Sequence, residues 1–445
     1  MSIYISSSGT LSAEELERFS RNIAAFLAEN GIHLAAVVTG KSPLVCAAVK
    51  ACCMAHVCCI PVDESLPAAR AARIIADAEI LLYDGGCPFD FPNKADLSGI
   101  AAADRSFTPA EEDISAPAYR IYTSGTTGAP KGIEVTRGNL NSFMEWFSTI
   151  PAIAETAPRS VLNQAQFSFD LSVADLWYSL LNGLKLTVIE RSLFSDMPGM
   201  FRRMADSAAE LAVLTPSFAE LCLCDSGFSP EILPELKVIF FCGEVLRPAT
   251  AAKLFSRFPG VRIVNAYGPA ECCCAVTAVE ITPEMTSSAL PVGELSHTAG
   301  SVFVEKGEIV IAGKSAARYT SDCGGFGEFQ GERCFFTGDL GYIRDNKLYF
   351  IGRRDRQLKI MGFRIEPEEI ENALLKIPGV NQAVVQPMKF GSHTGLAAAV
   401  CADGITTGEI RAALSEMVPE YMLPRRISIV GELPLNRSGK LDRKG

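Results

Sequence analysis

The chain runs to 445 residues with a formal net charge of −10. It is too long for one small core and too acidic for a nucleic-acid backbone to be its main partner. Hydrophobic residues make up 48% and charged residues 21%, which excludes a disordered chain and fits a globular protein of two or three domains. An anionic substrate would have to be held by local donors and metal ions rather than by a global positive field.

The opening MSIYISSSGTLSAEELERF lacks a basic segment followed by an apolar stretch, so no targeting signal is expected. Leu16, Phe19, Ile23, Phe26 and Leu27 recur at helical spacing and predict a helix from Ser12 to Glu29, closed by Gly31. A strand in LAAVVTG follows, then a cysteine-rich helix, then the strand CIPVD. The run LVCAAVKACCMAHVCCIPV is interrupted by Lys50 and His56; no membrane span is expected, and the expected location is the cytoplasm. The 15 cysteines are an odd number without a secretion signal, so a disulfide framework is not expected. Cys52, Cys53, His56, Cys58 and Cys59 lack C-x-x-C spacing and read as small core residues.

Further along, AEILLYDG, LKLTVIE, LAVLTPS, LKVIFFCGE and VRIVNAYG alternate with helical segments, the pattern of α/β layers with buried, largely parallel strands. From about Gly307, GEIVIAG and KLYFIG read as antiparallel strands. After Asp355 come strands QLKI and FRIE, and a helix opening on Pro367 with Glu368 and Glu369 in its first turn. Strands NQAVVQPM and LAAAVCAD, a helix from about Thr407 to Met417 and strand RRISIV complete an α+β unit. The expected organisation is a large layered α/β domain over 1–354 and a small α+β domain over 355–445, joined by a hinge at Asp355.

The strongest local signal is YTSGTTGAPKG, Tyr122 to Gly132. Its hydroxyls and close-approaching glycine amides suit phosphate oxygens, and Lys131 adds a cation. It is not a Walker A loop, whose spacing is absent. FDLS (169–172), NAYGPAE (265–271), FTGDL (336–340), GRRDRQLKIMGFRIEPEEIE (352–371), PEYMLP (419–424) and NRSGKLDRK (436–444) follow in order.

This ordered set resembles the core motifs of the adenylate-forming enzymes: acyl-CoA synthetases, luciferases and the adenylation domains of peptide synthetases. The stretch TPSFAELCLCDSGFSPEILPELKVIFFCGEVL (215–246) and the segment RIEPEEIENALL are most similar to the D-alanine–carrier protein ligases. The resemblance implies ATP and Mg2+ as cofactors, a small amino acid as substrate and a phosphopantetheinylated carrier protein as partner. It places Thr123, Ser124, Gly125, Thr126, Thr127 and Lys131 around the phosphates. Asn265, Ala266, Tyr267 and Gly268 would hold adenine, with Gly243 and Glu244 on its other side; an amide suits its polar edge and an aromatic ring its face. Asp339 would take the ribose hydroxyls, with Gly352 and Arg353 nearby. Glu271 is the implied magnesium ligand, a hard cation preferring oxygen.

Asp170 would pair with the substrate's α-ammonium, a charge costly to bury without a counter-ion. Leu171, Ala174, Phe240, Cys242, Ala266, Cys274 and Ala275 are the implied pocket lining. Lys440 would bridge the substrate carboxylate and the α-phosphate as charge develops. Rotation about Asp355 would then withdraw it and open a thiol channel beside Gly362. Three departures from the family stand out. Ala270 occupies a position where the family usually has threonine, the N-terminus is shorter by about one helix and its strand, and Ala174 replaces a larger residue. The last suggests room for a substrate bigger than alanine. Two other readings stay open: a stand-alone adenylation enzyme for serine or cysteine, and a weakened paralogue that binds ATP or a carrier without turnover.

Overall fold

The structure is a computed structural model describing residues 2–109, 111–123, 130–313, 316–320, 324–329, 331–390 and 393–433. Two large sheets face each other. One has eight strands, with Ser160–Asn163, Leu211–Leu214, Val238–Phe241 and Arg262–Tyr267 parallel at its centre. The other has seven, built on parallel Leu34–Val38, Cys58–Val62 and Ile80–Tyr83. Their central strands are buried on both faces, which is why they read as unbroken apolar runs.

The helix Ala13–Glu29 starts where the sequence placed it. Ser12 accepts from the Glu15 amide while the Glu15 carboxylate takes the Ser12 amide, so two orphan helix donors are satisfied. Cys46, Cys52, Cys58 and Cys59 are at most 3% exposed and pack as core. A hairpin of Ser2–Ser6 and Gly9–Ser12 was not expected; it extends the eight-stranded sheet beside Lys185–Val188.

One buried cation joins the two sheets. Lys41, just beyond the strand Leu34–Val38, donates to Asn163 Oδ1 (2.7 Å) and to the carbonyls of Gln164 (3.1 Å) and Ile189 (2.9 Å). Asn163 in turn donates to buried Asp175 at 2.7 Å. This network fixes the segment between Asn163 and Asp175, which carries Asp170.

A third, antiparallel sheet includes Glu308–Ala312, Glu332–Arg344 and Lys347–Arg353. Beyond it, residues from Leu358 onward make their own core around Ile365, Ile370, Val385, Val400 and Leu414. The hairpin Leu358–Ile360/Phe363–Ile365 projects from that unit toward the large sheets. Among the described residues no helix is long and apolar enough to cross a membrane.

Candidate active site

Parallel strands direct their C-terminal ends to one edge, where ligand crevices form in open α/β sheets. Gln164, Thr215, Cys242 and Gly268 all lie just past such ends. An inner cavity of about 110 Å³ lies there, lined by Thr123, Asp170, Leu171, Cys242, Cys274 and Asp339 among others. It adjoins a cleft of about 1120 Å³ running between the large sheets and the C-terminal unit.

On one side Tyr267 donates to Asp339 Oδ2 at 2.7 Å, and Arg353 donates from Nη1 to the other Asp339 oxygen. Arg353 also reaches both oxygens of Asp355, at 2.7 Å each. The expected hinge residue and the expected ribose acid thus share one guanidinium. Asn265 is buried, and its Nδ2 donates to the Pro291 carbonyl at 2.7 Å. Its Oδ1 has no partner among the described residues, and an orphaned buried acceptor calls for an incoming donor. Thr123 Oγ1, at the cavity wall, is orphaned in the same way.

Lys131 faces Thr123 across an antiparallel register. Ser124, Gly125, Thr126 and Thr127 lie outside the described residues, as does Lys440. Ala266 and Gly352 line the outer cleft with Gly243 and Glu244. Gly268 admits no side chain, because a Cβ would come 2.5 Å from Ala275 Cα. The neighbouring Cys273 and Cys274 hold φ of +66° and +102°. Such conformations cost about 1–3 kcal/mol each and collect at functional sites.

Asp170 opens the 3-10 turn Asp170–Val173. Its remaining surface faces the cavity, and desolvation pushes its carboxyl up to about 6, opposed by the charge of Lys359. Leu171, Cys242 and Cys274 line the cavity beside it. Ala174, Phe240 and Ala275 do not; they are fully buried in the main core, with Phe240 edge-on to Phe147 at 5.1 Å. Of the lining expected from sequence, Leu171, Cys242 and Cys274 thus face the inner cavity, Ala266 lines the outer cleft, and Ala174, Phe240 and Ala275 lie in the core.

Glu271 is fully buried, as a metal ligand in a phosphate site could be. Its two oxygens, however, each lie 2.9 Å from Arg364 Nη1, and Tyr319 donates to Oε1 at 2.5 Å. Burial pushes its carboxyl up, but Arg364 and Tyr319 outweigh that and hold it below the usual range. Among the described residues no group of three or more His, Cys, Asp or Glu gathers to hold a metal. In this arrangement the residues present do not fit a divalent cation.

Sequence reasoning missed Arg364, Tyr319 and Lys359 as site residues, although Arg364 and Lys359 lay inside a quoted motif. A usable signal existed: Lys359, Gly362 and Arg364 all lie within the one quoted motif, on the hairpin Leu358–Ile360/Phe363–Ile365 and its turn. Gly362, at φ +80°, donates its amide to Glu244 at 2.7 Å, and a Cβ there would meet the Thr215 methyl at 2.9 Å. Between them Phe363 packs edge-on to Phe169 at 4.8 Å and stacks on Tyr421 at 3.9 Å. Three motifs distant in sequence therefore meet through their aromatic residues.

Comparison with known proteins agrees with this architecture. The AMP-binding enzyme model matches residues 2–319, and the model of the AMP-binding enzyme C-terminal domain matches residues 369–440. A D-alanine–D-alanyl carrier protein ligase of Bacillus mycoides is 36% identical over 424 residues, covering 86% of this chain and 83% of the relative. The ligase of the same name from Bacillus licheniformis is 35% identical, covering 90% and 86%. In fold, the chain is similar to o-succinylbenzoate CoA synthetase from Bacillus subtilis, with TM-score 0.84, 22% identity and coverage of 99% and 94%. A Vibrio cholerae adenylation domain gives TM-score 0.84 at 19% identity, with 100% and 93% covered. The chain belongs to the AMP-binding enzyme family.

Proposed function

We propose that this protein activates D-alanine with ATP and passes the aminoacyl group to the phosphopantetheine thiol of a carrier protein. The observation that carries the reading is the pairing of Asp170 with a small cavity walled by Leu171, Cys242 and Cys274, beside the Asn265–Tyr267–Asp339–Arg353 frame. A carboxylate at the head of so short a pocket suits an α-ammonium with a methyl side chain. The carrier-ligase relatives supply the thiol acceptor.

In this reading Asn265 Oδ1 accepts from the adenine amine, and Asp339 with Arg353 holds the ribose. Thr123, Lys131 and the Ser124–Thr127 loop hold the phosphates. The substrate carboxylate attacks the α-phosphorus and pyrophosphate leaves, with Lys440 steadying the charge that develops. The thiol then attacks the acyl carbon and AMP leaves. The boundary between the working parts is placed at Asp355, and the thiol approaches beside Gly362. A divalent cation would offset phosphate charge; Glu271, held here by Arg364 and Tyr319, would serve it only in an arrangement in which Arg364 has left.

Amino-acid-dependent ATP–pyrophosphate exchange across D- and L-amino acids tests the reading. D-Alanine should give the highest kcat/KM. Exchange driven by serine or cysteine but not D-alanine would reassign the substrate, and no exchange with any amino acid would reject the activity.

A further inference from the structure

Lys41, the buried cation between the two large sheets, takes no part in the chemistry above. It is 3% exposed, and its backbone holds φ +52°. That is the left-handed region, which residues other than glycine seldom enter and which collects at functional sites. Tyr4, on the strand Ser2–Ser6, donates to the Lys41 carbonyl at 2.8 Å and pins this turn from behind. The three ammonium hydrogens are matched by three acceptors, Asn163 Oδ1 and the carbonyls of Gln164 and Ile189. All three are neutral. Burial pushes the Lys41 ammonium down, and Asp175 is the largest charge opposing that.

Asp175 stands one hydrogen bond away. One of its oxygens takes the Asn163 side-chain amide at 2.7 Å, and the other takes the backbone amide of Leu176. Residues 163 and 175 therefore close a loop onto itself, with Asp170 inside it. Ser172 donates to the Phe169 carbonyl at 2.6 Å and draws that loop tight on either side of Asp170. Gln164 Oε1, at the start of the loop, takes the Thr215 amide at 3.3 Å and so ties it to the end of the next strand. The nucleotide side of the site is held by a separate set of bonds, from Tyr267 and Arg353 to Asp339 and from Asn265 to the Pro291 carbonyl.

We propose that Lys41 is a positioning residue for the amino acid: through Asn163 and Asp175 it clamps both ends of the 163–175 loop and so holds Asp170 at the cavity wall. A charge-assisted bond between carboxylate and ammonium needs about 2.7–2.9 Å, so a loop free to wander weakens it. The clamp serves the amino-acid side, and its loss falls on recognition of the amino acid rather than of ATP. The inference rests on the reading of Asp170 as the partner of the α-ammonium.

The test uses the full chain carrying Lys41→Met or Asp175→Asn. Asp175→Asn keeps the shape of the side chain but turns its own N–H group toward one of the two donors, so it loosens the clamp even if Lys41→Met does not fold. In ATP–pyrophosphate exchange both variants should raise KM for D-alanine about 2–30-fold, the range for residues acting on a site without touching it, and leave KM for ATP within about twofold. The double variant should lose no more than the worse single one, because both changes release the same clamp. Phe228→Leu, in the core on the other face of the eight-stranded sheet, is the control for stability. It should lower Tm and leave KM for D-alanine unchanged. Amide hydrogen exchange over residues 164–175 should quicken in the clamp variants and not in the control. Equal rises in both KM values, the same rise in the control, or unchanged exchange in the loop overturns the proposal. Asp170→Asn separates the two levels. If it keeps the wild-type preference for alanine over propionate, the reading of Asp170 fails and the role of the clamp with it. If it loses that preference while the clamp variants leave KM for D-alanine unchanged, the clamp alone fails.

Discussion

Arg70, on the helix Ala68–Ile74, forms an ion pair with Glu369 on the helix Pro367–Leu374, and their side chains are only 7% and 4% exposed. The two lie 299 residues apart in sequence, so the pair exists only while the C-terminal unit is docked as seen here. Removing one member of a buried pair costs about 3–5 kcal/mol when the other must stay buried. Under the rotation expected about Asp355, the C-terminal unit would undock instead and return Glu369 to water.

Arg70→Ala should therefore shift the docked population rather than unfold the protein. Thioester formation from pre-formed adenylate should fall at least tenfold, while ATP–pyrophosphate exchange stays within about threefold. Replacing both partners by apolar residues of similar size, Arg70→Met with Glu369→Leu, should recover much of the loss, since such swaps are often neutral. Equal loss in both half-reactions, or no recovery in the double variant, would count against a docking role.

The raised carboxyl of Asp170 gives a pH prediction with a definite sign. Pairing with an ammonium needs the carboxylate, and in the free protein Asp170 gains its proton below about 6. kcat/KM for the amino acid, which reports the free enzyme, should fall as pH drops through about 6. An ordinary aspartate would leave the profile flat to well below 5. The same shift predicts a stability effect. The folded state holds a proton that the unfolded chain has released between about 4 and 6, so stability declines as pH rises through that window. Asp170→Asn should raise the Tm of the ligand-free protein at pH 7.5 and leave it unchanged near pH 3.5. It should also erase the preference for alanine over propionate. A flat kcat/KM profile from pH 5 to 8 would mean that Asp170 does not meet the substrate.

Lys440 lies beyond the described residues, and its role is tested by separating the half-reactions. Lys440→Ala should slow adenylate formation by roughly 10²–10³-fold, the usual loss for one transition-state donor. Thioester formation from supplied adenylate should be nearly spared, because the docked hairpin carries Arg364 and Lys359 to the site instead. Similar losses in both steps would remove the case for an alternation between the two segments.

What the sequence made legible was local. The helix Ala13–Glu29 follows from apolar spacing plus a capping box, and the parallel strands from apolar runs bounded by turn residues. The site motifs were legible because each holds its residues within a few positions, as Asn265 to Glu271 do. The hairpin Ser2–Ser6/Gly9–Ser12 escaped because its strands are only five and four residues long and Ile3, Tyr4 and Ile5 run consecutively, with no period-two alternation to mark a strand. Arg70–Glu369 and Arg364–Glu271 escaped for a different reason. A charged residue reads as solvated surface until its partner arrives from another domain, and nothing near Arg70 in sequence announces Glu369. Ala174, Phe240 and Ala275, expected in the pocket lining, lie in the main core, which sequence spacing alone does not reveal.

Handedness is the sharpest remaining test, and it turns on Cys242. This residue is 3% exposed, lines the inner cavity and places Sγ 3.7 Å from the Cys274 carbonyl. Cys274 itself sits at φ +102°, held by the turn behind Gly268, so its carbonyl cannot readily retreat. In the proposed reading Asp170 fixes the ammonium and Lys440 the carboxylate, which leaves the α-hydrogen and the side chain only two directions. A thiol wedged beside the α-carbon would crowd the methyl of one enantiomer, and the function proposed above makes D-alanine the accepted one. Such a contact supplies about 1–3 kcal/mol, or roughly 10–200-fold. The wild type should prefer D-alanine by that factor. Cys242→Ala should gain L-alanine activity while keeping most of its D-alanine activity. Because Ala174 lies in the core, Ala174→Val should change stability more than the D-to-L ratio. The measurement is kcat/KM for both enantiomers in the three proteins. A wild type that favours L-alanine, or an unchanged ratio in Cys242→Ala, would show that the thiol does not set the handedness.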